Sequence, residues 1–277
     1  MQKRSPSFPI IVFLVCAAAA VGADDRRIGE PPIPLSAAES RDVGERVCGP
    51  GNHRADADRI YCLTCPPFTG DAGDASGMVL SSPIRGRLLD GDSEQLLFDT
   101  SGCEPHFEEF GGALLVQKDA TAAGSGVEML LYRPGFRLDD CLRLRLSNRP
   151  TLLVCNEEFM AQGEIVGHLS EMQVSRKDIT RWRLVRWYDN SGGESDRVLR
   201  IVPTRARAVD LGGGRQELRL ELSFSDLPRR AFEGAAAPPA QTIGLRFERA
   251  GDRLFPDPAS LSELSRLEDL MARYLDR

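Results

Sequence analysis

Between residues 78 and 248 apolar residues come in short runs separated by clusters of Gly, Pro, Asn and Asp, the texture of many short strands. The runs lie at 95–99, 113–118, 127–132, 142–146, 151–155, 182–188, 197–202, 216–224 and 243–248. Leu142-Arg-Leu-Arg-Leu146 alternates strictly, so its arginines read as the solvated face of a half-buried strand, not as a basic binding patch. A period of two along 182–188 puts Trp182 and Tyr188 on one face and Trp187 on the other. The pattern predicts a mainly β fold of stacked antiparallel sheets, either propeller-like or sandwich-like.

The flanks differ from this body. Residues 24–77 are rich in Pro, Gly, Asp and Arg, lack a periodic apolar pattern, and are expected to form an irregular arm held by disulfides. The stretch from Phe232 to Gln241 reads as a linker. In residues 249–277 the period changes: Ser260-Leu-Ser-Glu263 is a capping box, and Leu261, Leu264, Leu267, Leu270, Met271, Tyr274 and Leu275 recur at helical spacing. One amphipathic helix is expected to end the chain, with its stripe packed on the β body, a partner being the alternative.

Residues 1–23 have the form of an export signal. Lys3 and Arg4 precede an apolar run from Ile10 to Val21, and Val21-Gly22-Ala23 offers a small-x-small cleavage site. The run is too short to span a bilayer comfortably, so a secreted, periplasmic or cell-surface protein without a membrane span after cleavage is expected. A lipid anchor at Cys16 is disfavoured because Val15 stands where a small residue is required. The net charge of −6 argues against nucleic acid as a partner. An extracytoplasmic protein or a glycan is expected instead.

Export gives the cysteines their meaning. Removing Cys16 leaves Cys48, Cys62, Cys65, Cys103, Cys141 and Cys155, an even number in an oxidising compartment, which points to disulfides. Folding the chain symmetrically about Asn148 sets Cys141 opposite Cys155 in a hairpin, at a separation suited to a bridge. Cys48, Cys62, Cys65 and Cys103 allow three pairings, and spacing does not choose among them.

Similar short runs recur about 56 residues apart, as in Leu96-Leu-Phe-Asp99 and Leu152-Leu-Val-Cys155, a period compatible with propeller blades. Asp90-Gly-Asp92-Ser-Glu94 and Asp210-Leu-Gly-Gly-Gly each set a Gly- and acid-rich turn before a strand. These segments resemble degenerate FG-GAP or VCBS-type β repeats, extracellular propeller blades whose loops often hold calcium. Ser101-Gly-Cys103-Glu-Pro-His106 and Phe110-Gly-Gly-Ala-Leu-Leu115 also resemble a group of secreted bacterial proteins of myxobacteria-like genomes. The resemblance makes Asp90, Asp92 and Glu94 the candidate metal ligands. Three glycines after Asp210 remove the oxygen ligands that a calcium loop needs, and solvated turn acids are the commoner state of such residues.

Cys62-Leu-Thr-Cys65 is the sharpest local motif, and Cys48, His53, Cys62 and Cys65 together would suit a zinc tetrahedron. Pro66-Pro67 follows and no βαβ pattern surrounds it, so ordinary disulfides are expected there. Of the three histidines, His106 lies among Glu104, Glu108 and Glu109, a solvated charged turn, and His168 stands in no recognisable ligand spacing. No nucleophile elbow, zinc-protease helix, phosphate loop or dinucleotide fingerprint occurs. No catalytic residue and no cofactor are expected. The sequence points to a disulfide-stabilised binding or structural module; the alternatives are a hydrolase whose carboxylates converge from distant loops and a zinc or thiol module at Cys62 and Cys65.

Overall fold

The computed structural model describes residues 28–29, 33–56, 58–70, 77–81, 83–91, 93–103, 111–119, 126–138, 140–146, 149–234 and 238–275. The export signal with Cys16, and also Asp92, His106 and Asn148, lie outside the described residues.

Helix α1 (Ala37–Cys48) stands where an irregular arm is expected. Ser36 caps it: its Oγ accepts from the Glu39 amide at 3.3 Å while the Glu39 carboxylate accepts from the Ser36 amide at 2.8 Å. Its buried face is Ser40, Val43, Gly44, Val47 and Cys48, too small and too little apolar to announce itself as a stripe.

Strands β1 (His53–Ala55), β2 (Ile60–Cys62), β3 (Met78–Leu80), β4 (Ile84–Gly86), β5 (Gln95–Ser101), β6 (Gly112–Asp119) and β7 (Gly126–Pro134) form one antiparallel sheet, in the order β1-β2-β3-β5-β6-β7 with β4 also on β5. The second sheet is an eight-stranded meander of β8 (Cys141–Leu146), β9 (Arg149–Ala161), β10 (Glu164–Val174), β11 (Ile179–Asp189), β12 (Arg197–Gly212), β13 (Arg215–Pro228), β14 (Gln241–Ala250) and β15 (Arg253–Pro256). A short helix α2 (Arg229–Phe232) leaves β13, and α3 (Pro258–Leu275) ends the fold.

Leu96 and Phe98 of β5 and Leu114 and Val116 of β6 pack with Val43 and Val47 of α1, whereas Leu97, Ala113 and Leu115 point the other way. There they meet Leu153, Cys155, Met172 and Ile179 of the second sheet. Residues of alternating direction thus feed two cores, which is why β5 and β6 read as continuous apolar runs. The remaining face of the meander encloses a third core with Leu152, Val154, Trp187, Leu199, Leu220 and Phe247, into which α3 inserts Leu267 and Met271. The terminal helix therefore packs on the β body, and the molecule is a sandwich of two antiparallel sheets with a helix on either side.

Strand β12 turns the corner of the meander. It pairs with β11 only at Tyr188↔Ile201 and Asp189↔Arg200, shifts register after Pro203, and then crosses toward β8, where the Gln216 side chain of β13 donates to the Arg145 carbonyl. Seven- and eight-stranded sheets replace the four-stranded blades of a propeller, and the two halves of the sequence repeat fall in different sheets, on β5 and β9.

Three disulfides tie the layers: Cys48–Cys62 joins α1 to β2, Cys65–Cys103 ties the segment after β2 to the end of β5, and Cys141–Cys155 bridges β8 and β9. The last joins directly opposed residues with Cα atoms 4.0 Å apart. Cys62 and Cys65 thus belong to different bridges, so Cys62-Leu-Thr-Cys65 is neither a dithiol nor a zinc half-site.

Two local expectations are corrected. The cap of α3 is Asp257, whose Oδ1 accepts from the Ser260 amide at 2.7 Å with Pro258 in the first turn; Ser260 Oγ instead accepts from the Arg246 amide, and Glu263 pairs with Arg266. In β11 an extra residue at Leu184, opposite the Leu169/Ser170 step of β10, reverses the alternation and brings Trp182 into line with Val185 and Trp187.

Candidate functional site

Strand β10 has no counterpart among the apolar runs of the sequence, because Gly167, His168, Ser170 and Glu171 interrupt Ile165-Val166 and Leu169. Its register builds the site. On the face turned toward the first sheet, His168 lies opposite Glu157 of β9 and Arg186 of β11, and Ser170 lies opposite Cys155 and Arg183. Farther along, Met172 lies opposite Leu153 and Arg181. On the reverse side Gly167 leaves room for the Trp187 indole: a Cβ there would sit 1.9 Å from Trp187 Cε2. The indole Nε1 donates to Asn156 at 2.9 Å, which locks the strand behind His168.

Beyond Met172 the first sheet no longer covers this face. A cleft of about 580 Å³ opens, lined by Arg137, Glu157, Phe159, His168, Ser170 and Arg183 among others. This is within the usual range of ligand pockets, roughly 300–1,000 Å³. Its far wall follows β7 and is held by the Leu138 amide on Asp99 at 2.8 Å and the Gly135 amide on the Gly111 carbonyl at 3.0 Å. Phe159 stands at the cleft 64% exposed.

The charges are unequally matched. Glu157 uses both oxygens: Oε1 accepts from Arg181 at 2.7 Å and Oε2 from Ser170 Oγ at 2.8 Å. Arg181 also lies over the Phe136 ring, 5.2 Å from its centroid. Arg183 and Arg186 have no ion-pair partner among the described residues, and Arg186 Nε and His168 Nδ1 are enclosed without a hydrogen bond. Burial, followed by the positive charges of Arg183, Arg186 and Arg181, lowers the His168 pKa to about 4, so its imidazole is neutral at physiological pH.

Ser, His and Glu converge here without forming a nucleophilic triad. Ser170 gives its proton directly to Glu157, Arg181 neutralises that carboxylate, and His168 bonds neither. Nor do Glu157 and Glu158 form a converging carboxylate pair, since successive strand residues point to opposite faces. The cleft is arranged to hold positive charge and hydrogen-bonding capacity in a fixed frame.

The residues singled out from the sequence lie elsewhere. Glu94 is taken up by Arg85 at 3.3 Å and Lys118 at 2.9 Å, both of which also bind Glu39. Asp90 lines a smaller pocket of about 290 Å³ with Arg249 and Asp252. Among the described residues no group of three or more His, Cys, Asp or Glu could hold a metal ion. Asp210 accepts from the Gly212 amide at 2.8 Å, closing a hairpin turn in which Gly212, Gly213 and Gly214 all have positive φ; the three glycines serve the turn between β12 and β13. His53 lies on β1 against Gly44. The sequence signal for the actual cluster was the spacing Arg181-x-Arg183-x-x-Arg186 opposite His168, legible only once the bulge at Leu184 is known.

The chain matches no protein-family model, no curated protein and no solved structure. Among the described residues no helix is long and apolar enough to cross a membrane.

Proposed function

We propose that the chain is a disulfide-stabilised β-rich binding module that works outside the cytosol, and that its ligand face is the cleft over β9, β10 and β11. The observation that carries this reading is the contrast inside the cleft: Ser170, Glu157 and Arg181 satisfy one another, whereas His168 Nδ1 and Arg186 Nε are enclosed without a hydrogen bond and Arg183 has no ion-pair partner among the described residues. Unmatched polar groups in a walled cleft cost stability and are retained where a ligand completes them. The export signal expected at residues 1–23 and the three bridges, which persist in oxidising compartments, support a place beyond the cytosol. An extracytoplasmic protein or a glycan is the partner class in keeping with the acidic net charge of −6.

The test is chemical-shift mapping of the mature protein against a panel of neutral and acidic oligosaccharides and peptides. Binding is expected to perturb the resonances of Phe159, Val166, His168 and Arg183. A panel that leaves the cleft unperturbed, or ligands that map only to the pocket beside Arg249, would overturn the assignment.

A further inference from the structure

We propose that the cleft over β9–β11 receives an oxyanion carried on a ring, with Arg183 seating the anion, Arg186 and His168 beside it, and Phe159 stacking on the ring. The proposal rests on the cleft being the ligand face and adds the chemistry of what it takes.

The argument begins with the cross-strand rows. Directly opposed strand residues normally match opposite charges, because like charges set side by side are unfavourable. Here the residue facing Arg186 across β10 and β11 is His168, which carries no negative charge, and Arg183 lies one row along on the same face. The carboxylate on the other side of His168, Glu157, is committed to Arg181 and Ser170 and gives its charge to neither Arg183 nor Arg186. The groups bearing on His168 are therefore Arg181, Arg183 and Arg186 from β11 and Glu157 from β9, with Arg137 and Glu158 lining the same cleft. Among the described residues of β9 to β11, three guanidinium groups on this face, those of Arg181, Arg183 and Arg186, stand against the single carboxylate of Glu157, in a protein whose formal charge is −6. A local positive field inside an acidic molecule, in a walled site, concentrates anions there.

Guanidinium groups match planar or tetrahedral oxyanions by paired N–H donors, so a carboxylate, sulfate or phosphate suits them better than a halide or a neutral amide. The apolar part of the ligand is read from Phe159, which lines the cleft and exposes 64% of its surface to solvent. An exposed ring beside a cationic seat gives a flat ring a face to stack on. Two sources share this chemistry, an acidic saccharide and an aryl acid, and the probes separate them.

Calorimetric titration of the mature protein uses a galacturonate trisaccharide, its fully methyl-esterified neutral form, phenyl phosphate and inorganic phosphate. We expect one of the two ring-bearing anions to bind, the ester and inorganic phosphate to bind at least about tenfold more weakly, and the affinity to fall as NaCl is raised. Arg183→Gln is expected to weaken binding about tenfold with an unchanged melting temperature, Arg183→Lys less, and Phe159→Ala to weaken the ring-bearing anion but not inorganic phosphate. A second readout does not depend on variants: a bound anion should raise the His168 pKa from about 4, followed by NMR of its imidazole protons. Binding of the trisaccharide or of phenyl phosphate decides the source. Equal binding of acid and ester within the cleft would overturn the oxyanion assignment and leave the binding-module reading standing. Failure of every anion at millimolar concentration, or an unmoved His168 pKa at saturation, would overturn it as well, while ligands mapping only outside the cleft would overturn both.

Discussion

The same face of β9, β10 and β11 has two ends built on opposite terms. Toward Leu153, Cys155, Met172 and Ile179 it is covered by Leu97, Ala113 and Leu115 of the first sheet in an apolar core. A few residues along the same strands, at Glu157, His168, Arg183 and Arg186, the cover stops and the face turns cationic. Both ends are built on the same three strands, with the bulge at Leu184 on β11. What differs is the partner layer, and each end's side chains are suited to what lies over them: close packing at one, unmatched charge at the other. Stability should therefore reside in the covered end and ligand recognition in the open one, which mutations can separate.

The largest effect is expected in the covered end. Leu153→Ala or Met172→Ala removes a fully buried side chain between the two sheets and should cost roughly 2–5 kcal/mol in urea unfolding. A loss under 1 kcal/mol would show that the sheets are not packed there. Next comes the bridge beneath the same core: replacing Cys141 and Cys155 by alanine opens a loop with a sequence separation of 14 and should cost about 3 kcal/mol, read as a lower denaturation midpoint without reductant.

At the boundary between the ends, Gly167→Ala forces a Cβ into the Trp187 indole and should cost roughly 1–3 kcal/mol, with changed tryptophan fluorescence, although no cleft side chain is altered. Unchanged fluorescence and stability would mean that the back of β10 does not hold His168 in place.

The smallest effects belong to the open end. Arg183→Gln should change unfolding stability by no more than about 0.5 kcal/mol. It should nonetheless raise the His168 pKa from about 4 toward its ordinary value, because one of the positive charges that depress it is gone. The sign for stability follows. With a depressed folded-state pKa, the unfolded chain takes up the proton first, so stability is complete above about pH 6.5 and falls as pH drops toward 4. His168→Gln should flatten this part of the pH dependence, measured as the difference between variant and wild-type denaturation midpoints from pH 7 to 4. Parallel curves would break the link between His168 and the open end.

Several features of the fold could be read directly from the chain. Short apolar runs and the turns between them gave β5 to β9 and β11 to β14, and the helical spacing from Leu261 to Leu275 gave α3, because these elements bury enough large apolar residues to show a pattern. Symmetry about Asn148 set Cys141 against Cys155, since a hairpin fixes its own register. By contrast α1 was hidden, its buried face being mostly Ser, Gly and small apolar residues, and β10 was hidden because the strand that carries the site is interrupted by Gly167, His168 and Glu171. Glu171 is itself intelligible only in three dimensions: fully buried, it accepts from the Leu254 amide at 2.7 Å and lies 3.1 Å from Arg253, which in turn covers Trp182. Burial raises its pKa against the pull of those two partners.

By itself the sequence determined the β class, the terminal helix and one hairpin, all consequences of contacts between residues near one another in the chain. Only the tertiary structure decided the two remaining disulfide pairings, the corner at β12 and the cluster of His168 with Arg183 and Arg186. Each of these depends on which strand lies beside which and on where a bulge shifts the register by one residue. That shift reverses the direction of every side chain beyond it, and local pattern carries no record of it.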